Sequence, residues 1–273
     1  MDNISLLNTE LLIFDLDGVI YVGNEPIATA LEAINRYYNL NKKIAFFTNN
    51  STLTRKSYVK KLTKLGISCT VDQIYTSSFI SAEALIKTYT NPSAYVVGEE
   101  GLIKTLEEYT ITVLNDKYDF DEIINNSKIT CNFVIAGLDR TLTYKKLAAG
   151  TQLINRGADF YATNDDSTLP NEAGFLPGAG VIVNAISVAT DKKPLNTFGK
   201  PSPAGIIQIL EDFNVPPEKA IMVGDRPETD ILSAKRAGIR SALVLTGTTG
   251  IKDIDAIKKD LQPDLILTDL SEF

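Results

Sequence analysis

Short apolar runs alternate with helical patterns along nearly the whole of this chain, and no other feature restricts its fold as much. A run of four to eight apolar residues between turn formers suits a strand buried on both faces. Apolar residues three and four apart instead mark one side of a helix. Leu11–Phe14 is a run of the first kind, and Ala30, Leu31, Ile34 and Tyr38 follow it at helical spacing. A second strand is predicted at 44–47 (IAFF), then a helix carrying Tyr58, Val59, Leu62 and Leu65 that stops at Gly66. The pattern returns towards the C-terminus. Ile206, Ile207 and Leu210 mark a helix, 220–223 (AIMV) a strand, and 231–237 a helix ended by Gly238, with strands at 242–245 and Leu265–Leu267. Such alternation predicts an α/β fold, a Rossmann-like three-layer core around a largely parallel sheet.

The middle of the chain has strand candidates of its own at 95–97, 133–136 and 159–163. Stretches rich in Asn, Asp, Gly and Pro, at 115–128 and 164–180, separate them and read as loops. A second, smaller α/β unit of about 100 residues, inserted into the first, accounts for this region. The expected division is 1–80 and 185–273 for the core and 81–184 for the insert.

At 273 residues the chain is long enough to bury a core of this kind. Its net charge of −7 argues against duplex nucleic acid or an anionic membrane surface as partner. An anionic small molecule stays open, because a bound divalent cation reverses the field locally. No apolar run approaches the roughly 20 residues of a bilayer span, and MDNISLLNTE lacks the basic-then-apolar order of a signal peptide, so a cytoplasmic protein is expected. Cys69 and Cys131 stand 62 residues apart with no CxxC, which predicts two scattered core thiols in place of a zinc site or disulfide framework. Histidine is absent altogether. Ser-His-Asp hydrolysis, HExxH zinc chemistry and phosphohistidine catalysis are thereby excluded, and acid–base work falls to Asp, Glu, Lys, Tyr or Cys.

Four stretches at strand or bend ends carry the chemistry. FDLDGVIY (14–21) places Asp15 and Asp17 just after a buried strand, on the same side of the chain, before a glycine. A solvated turn explains such a pair, and so does a metal and phosphate site in which Gly18 turns the backbone and presents its amides. FTNNS (47–51) offers Thr48, Asn49 and Asn50 as groups for phosphoryl oxygens; the alternative is a helix N-cap at Ser51, Thr52 or Thr54. GKPSP (199–203) holds Lys200 in a bend, either as a fixed charge for an anion or as an ordinary surface lysine. VGDRPETDI (223–231) puts Asp225 at a strand end, where a third metal carboxylate belongs, and Asp230 near the start of a helix, where it also suits a cap. No GxGxxG follows a strand and no GxxxxGK[ST] occurs, which disfavours dinucleotide and P-loop sites.

In order and setting, these stretches resemble the four motifs of the haloacid dehalogenase superfamily of Mg²⁺-dependent phosphohydrolases, over residues 11 to 267. Asp17 and Thr48 are 31 residues apart, and Thr48 and Lys200 are 152 apart, so an insert falls between the second and third motifs. That spacing resembles the NagD-like, p-nitrophenylphosphatase branch with an α/β cap, as do GLDRTLTYKKL (137–147), ATNDDSTLP (162–170) and PGAG (177–180).

The resemblance implies that Asp15 is the nucleophile forming an aspartyl-phosphate and that Asp17 is the acid and then the base. It further implies that Thr48, Asn49, Asn50 and Lys200 bind the phosphoryl group, with Lys200 neutralising Asp15. Mg²⁺ would be held by Asp15, the Asp17 carbonyl and Asp225, with Asp230 behind them. The specificity loop would lie near 166–170, with Leu169 towards the leaving group, as in phosphoglycolate- and p-nitrophenyl-phosphate-cleaving relatives. Implied substrates are small phosphate esters: phosphoglycolate, glycerol phosphate, a sugar phosphate or a nucleotide monophosphate. A homodimer is implied too. The competing readings are a phosphotransferase or mutase on the same site, and a non-catalytic sensor of phosphate ligands. The sensor predicts loss of Asp15 or Asp17, and both are present.

Overall fold

A computed structural model describes residues 8–171 and 174–272, apart from the side chains of Pro170 and Asn171. Most of MDNISLLNTE, on which the leader reading rests, lies outside the described residues. Leu11–Phe14 (LLIF) has no polar side chain on either face, and all four residues are buried, as a strand covered by helices on both sides requires. It is a central strand of a six-stranded sheet with the order Leu265–Leu267, Arg240–Val244, Ala220–Gly224, Leu11–Phe14, Lys43–Thr48, Ile74–Thr76. Every neighbouring pair is parallel. Leu11 and Ile13 pack with Ala45, Phe47 and Met222 on one face, and Leu12 and Phe14 pack with Phe46 and Val223 on the other. The α/β fold expected from the alternation is the fold observed.

The chain begins in the middle of this sheet, builds outwards to Ile74–Thr76, and later returns to build the opposite half from Ala220–Gly224. Leu11–Phe14 and Ala220–Gly224 are therefore neighbours at the point where strand order reverses. Open α/β sheets place ligands outside the carboxyl ends of the strands at such a point. Thr54 caps the helix Arg55–Lys64 by accepting from Ser57 N–H, which leaves Thr48 and Asn49 free of that duty.

Between those halves runs a second parallel sheet, ordered Asn196–Thr197, Asp159–Ala162, Phe133–Ala136, Ser93–Val97, Thr112–Val113. Helices Ser77–Thr88 and Glu100–Glu108 carry Phe79, Leu85, Leu102 and Leu106 into one apolar cluster shared by both sheets. Residues 81 and 184 fall inside the helices Ser77–Thr88 and Ala179–Thr190. Two stretches read as loops contain regular structure. Phe120–Asn125 is a short helix started by reciprocal capping between Asp119 and Glu122. Thr168–Asn171 pairs antiparallel with Gly174–Pro177, so the segment around Leu169 is a hairpin. Turn-forming residues hid both elements, since caps and hairpin ends use the same residue types as loops. Cys69 and Cys131 are free and half-buried. Among the described residues no helix is long and apolar enough to cross a membrane.

Candidate active site

The carboxyl ends of Leu11–Phe14 and Ala220–Gly224 deliver Asp15 and Asp225 to one place, and a turn of π-helix over Pro227–Ile231 swings Asp230 back beneath them. One carboxylate oxygen from each of these three aspartates lies within 4.8 Å of the others, and all three residues are buried. Lys200, 2% exposed, meets them from the far side. Its ammonium lies 2.6 Å from Asp15 Oδ1 and 2.7 Å from Asp230 Oδ1, and it also donates to Phe47 O at 3.0 Å. Asp230 Oδ2 accepts the main-chain N–H of Asp225 at 3.2 Å and of Arg226 at 3.0 Å. Asp230 therefore orients both the strand end and the lysine; it does not cap the following helix.

Three carboxylates against one ammonium leave an excess of negative charge in a buried place. Burial, with Asp230 and Asp225 nearby, pushes the Asp15 carboxyl well above its usual range despite Lys200. Burial and then Asp230 push Asp225 up to about 6. Burial alone would lower Lys200, yet Asp15 and Asp230 hold its ammonium above the ordinary lysine value. Asp225 Oδ1 is buried without a hydrogen-bond partner, while Oδ2 accepts Thr248 N–H at 2.5 Å. An orphaned carboxylate oxygen beside two more carboxylates is a set of hard oxygen donors that fits a small divalent cation. Gly18, at φ +87°, completes the cradle: a Cβ there would stand 2.6 Å from Asp225 Oδ2. Gly247 closes the opposite side, where a Cβ would overlap the same carboxylate.

Asp17 sits at the mouth, half-buried, and accepts a long hydrogen bond from Tyr21 OH at 3.4 Å. Burial raises its carboxyl above the usual range, against the pull of Lys61. Asp15, Asp17, Thr48, Asn49, Asn50, Leu169 and Lys200 line one cleft together. Gly18 and Asp225 line an adjoining cavity that shares Asp17 with it. Thr48 Oγ1 accepts Asn50 N–H at 3.1 Å, and Asn50 Oδ1 accepts from Thr52 N–H and Oγ1. The Asn49 amide faces Lys200 and Asp166.

Asp166, Asn164 and Arg226 also line the cleft and were not singled out from the sequence. Arg226 stands inside the quoted VGDRPETDI and Asp166 at the start of the proposed specificity loop, so position was legible where role was not. Arg226 donates to Thr248 Oγ1 at 3.1 Å and approaches Thr168 O at 3.4 Å, linking the main sheet to the hairpin.

Known proteins resemble this chain in sequence and fold. The family described as haloacid dehalogenase-like hydrolase matches residues 12–112, and the one described as HAD-hydrolase-like matches residues 197–273. The acid sugar phosphatase of Staphylococcus saprophyticus is 33% identical over 265 residues, 97% of this chain and 96% of that protein. The chain belongs to the haloacid dehalogenase-like hydrolases. Among solved structures, the 4-nitrophenylphosphatase of Thermotoga maritima is 35% identical, with a TM-score of 0.88 over 98% of this chain and 97% of that one. The glycerol phosphate phosphatase of Mycobacterium tuberculosis, solved in complex with magnesium, is 29% identical, with a TM-score of 0.86 over 97% of this chain and 77% of that one. This haloacid dehalogenase-like hydrolase is thus an enzyme of the phosphatase class, and the NagD-like resemblance extends over the whole fold.

Proposed function

We propose that the protein is a Mg²⁺-dependent phosphomonoesterase that hydrolyses small phosphorylated metabolites through an aspartyl-phosphate on Asp15. The observation that supports it most is the buried Lys200 ammonium held between Asp15 and Asp230, with Asp225 and its orphaned oxygen alongside. Lys200 fixes the Asp15 carboxylate through Oδ1 and favours its ionised form, which the reaction needs as nucleophile. An Asp15 oxygen bonds to phosphorus as the ester P–O bond breaks, and Asp17 gives its proton to the departing alcohol oxygen. Water then attacks the same phosphorus, Asp17 takes the proton back, and inorganic phosphate leaves with Asp15 restored. A raised Asp17 carboxyl at the mouth suits a group that must carry a proton without histidine.

Thr48, Asn50 and Lys200 line the cleft where the transferring group would sit, and Gly18 turns the backbone that presents the amides after Asp17. Asp15, Asp225 and the Asp17 carbonyl would hold Mg²⁺, which when bound supplies positive charge to the phosphoryl oxygens. We assign substrate selection to residues 81–184 and to Leu169, half-buried on the hairpin and facing the cleft. The relatives' names point to esters of small alcohols: sugars, glycerol and nitrophenol. The deciding experiment compares kcat/KM for sugar phosphates, nucleotide monophosphates, phosphoglycolate, glycerol phosphate and p-nitrophenyl phosphate, with Mg²⁺ and with chelator. Phosphate release that depends on Mg²⁺ is the expected result. Release unchanged by chelator, or none from any ester, rejects the reading.

A further inference from the structure

Asn49 stands where a phosphoryl ligand was expected, yet its side chain is engaged by protein on both sides. Oδ1 accepts Lys200 N–H at 2.7 Å, and Nδ2 donates to Lys200 O at 2.9 Å. Nδ2 also lies 3.1 and 3.2 Å from the two carboxylate oxygens of Asp166. The Asn49 carbonyl accepts Asn164 Nδ2 at 2.8 Å, and Gly199 N–H donates to Thr163 O at 2.7 Å. Asp166 N–H donates to Asn164 Oδ1 at 3.2 Å, tying these groups into one segment. That segment, 163–166, leaves the strand Asp159–Ala162 of the second sheet, whereas Asn49 follows the strand Lys43–Thr48 of the first.

We infer that Asp166 is a positioning residue: it sets the Asn49 amide, and through that amide the backbone of Lys200. The inference rests on the phosphomonoesterase reading of the site. A carboxamide is nearly symmetric in shape but has one donating and one accepting end. An ionised carboxylate only accepts, so only Nδ2 can face Asp166, and Oδ1 is then turned to the Lys200 N–H. The opposite amide orientation would set a carbonyl against the carboxylate and N–H against N–H. Asn49 thus grips Lys200 at both N–H and C=O, directly behind the side chain whose ammonium must reach Asp15 and Asp230 together. Displacing a reacting group by ~1 Å costs about 10²-fold in rate. Because Asp166 comes from the second sheet's unit, the catalytic lysine is fully aligned only when that unit is docked.

The test measures kcat and KM of the Mg²⁺-loaded enzyme with three different esters, in the wild type, Asp166→Ala, Asp166→Asn, Asn49→Ala and the Asn49→Ala/Asp166→Ala pair. Asp166→Ala is expected to lower kcat by about 10-fold, equally for all esters, with KM within about 2-fold. Asp166→Asn keeps the shape and one accepting oxygen for Asn49 Nδ2, and is expected to retain more activity than Asp166→Ala. In the Asn49→Ala background, removing Asp166 is expected to cost less than about 2-fold more, because the two residues act through one contact. Additive losses would overturn the inference, as would a KM rise that differs from ester to ester, which would put Asp166 in contact with substrate. An Asp166→Asn variant that loses as much kcat as Asp166→Ala would also overturn it. That near-isosteric variant keeps the test decisive if the alanine variants do not fold, since a KM that rises differently from ester to ester would still overturn it. A wild type inactive on every ester rejects the phosphomonoesterase reading instead; an active wild type with additive variants rejects this inference alone.

Discussion

With divalent cations stripped, lowering the pH from about 7.5 to about 5 should stabilise this protein, the reverse of ordinary acid weakening. Asp225 is moved from 3.8 to about 6 by burial and by Asp230, so the folded chain binds a proton there that the unfolded chain does not. For a carboxyl raised on folding, stability increases as pH falls through the folded value and levels off near the unfolded one. One pH unit below the folded value is worth ~1.4 kcal/mol, so Asp225 alone contributes about that much by pH 5. Asp15 moves in the same direction and adds to the gain. The groups with lowered values act oppositely, but Glu10, Glu99 and Asp269 start from 4.5, 4.5 and 3.8, below the window. Lys200 is raised from 10.5, so its contribution is present throughout. With no histidine in the chain, no imidazole titration overlies the effect. Urea unfolding at several pH values, with chelator and with saturating Mg²⁺, measures it. Mg²⁺ binds the ionised carboxylates, so its stabilisation should be greatest at the upper end and fade as protons compete. A chelated protein whose stability is flat or falls from pH 7.5 to 5 refutes the reasoning, and Asp225→Asn should flatten the slope.

Three further outcomes are expected. Asp15→Asn should abolish release of nitrophenol from p-nitrophenyl phosphate while the protein stays folded by circular dichroism; persistent Mg²⁺-dependent turnover would remove Asp15 as nucleophile. Lys200→Met should lower kcat by about 10²-fold or more and cost roughly 3–5 kcal/mol in urea at neutral pH, because Asp15 and Asp230 lose a buried partner. A loss below about 1 kcal/mol would mean that the ion pairs add little to stability. Leu169→Ala should change the ranking of kcat/KM among esters and leave the Mg²⁺ requirement alone; equal effects on every ester would show that Leu169 only packs.

The strands 44–47 and 220–223 were legible because a fully buried strand needs an uninterrupted apolar run, and each lies inside an observed strand. Ile74–Thr76 and the helix Ser77–Thr88 escaped: the strand is three residues long, and Ser77, Ser78, Ser81 and Ala82 interrupt the apolar pattern of the helix's buried residues. Asp15, Thr48, Lys200 and Asp225 were legible for a different reason. Each alone also suits a turn, a helix cap or a solvated surface position, but all four stand at strand ends or in a bend, where an open α/β sheet binds its ligands. Their order along the chain restricts them further.

The sequence by itself determined the α/β class, the buried strands, the absence of imidazole chemistry and the strand-end residues that make a site possible. The missing imidazole is a matter of composition; the rest follow from apolar periodicity and turn chemistry, which act over a few neighbouring residues. Only the tertiary structure decided that residues 15, 200, 225 and 230 share one buried charge cluster, because sheet order brings together segments separated by up to 215 positions. It also decided that Asp230 orients a strand end and a lysine, and that Asn49 faces Lys200 and Asp166. A side chain's donors and acceptors are satisfied by whatever the fold sets beside them, and no local pattern records which neighbours those will be.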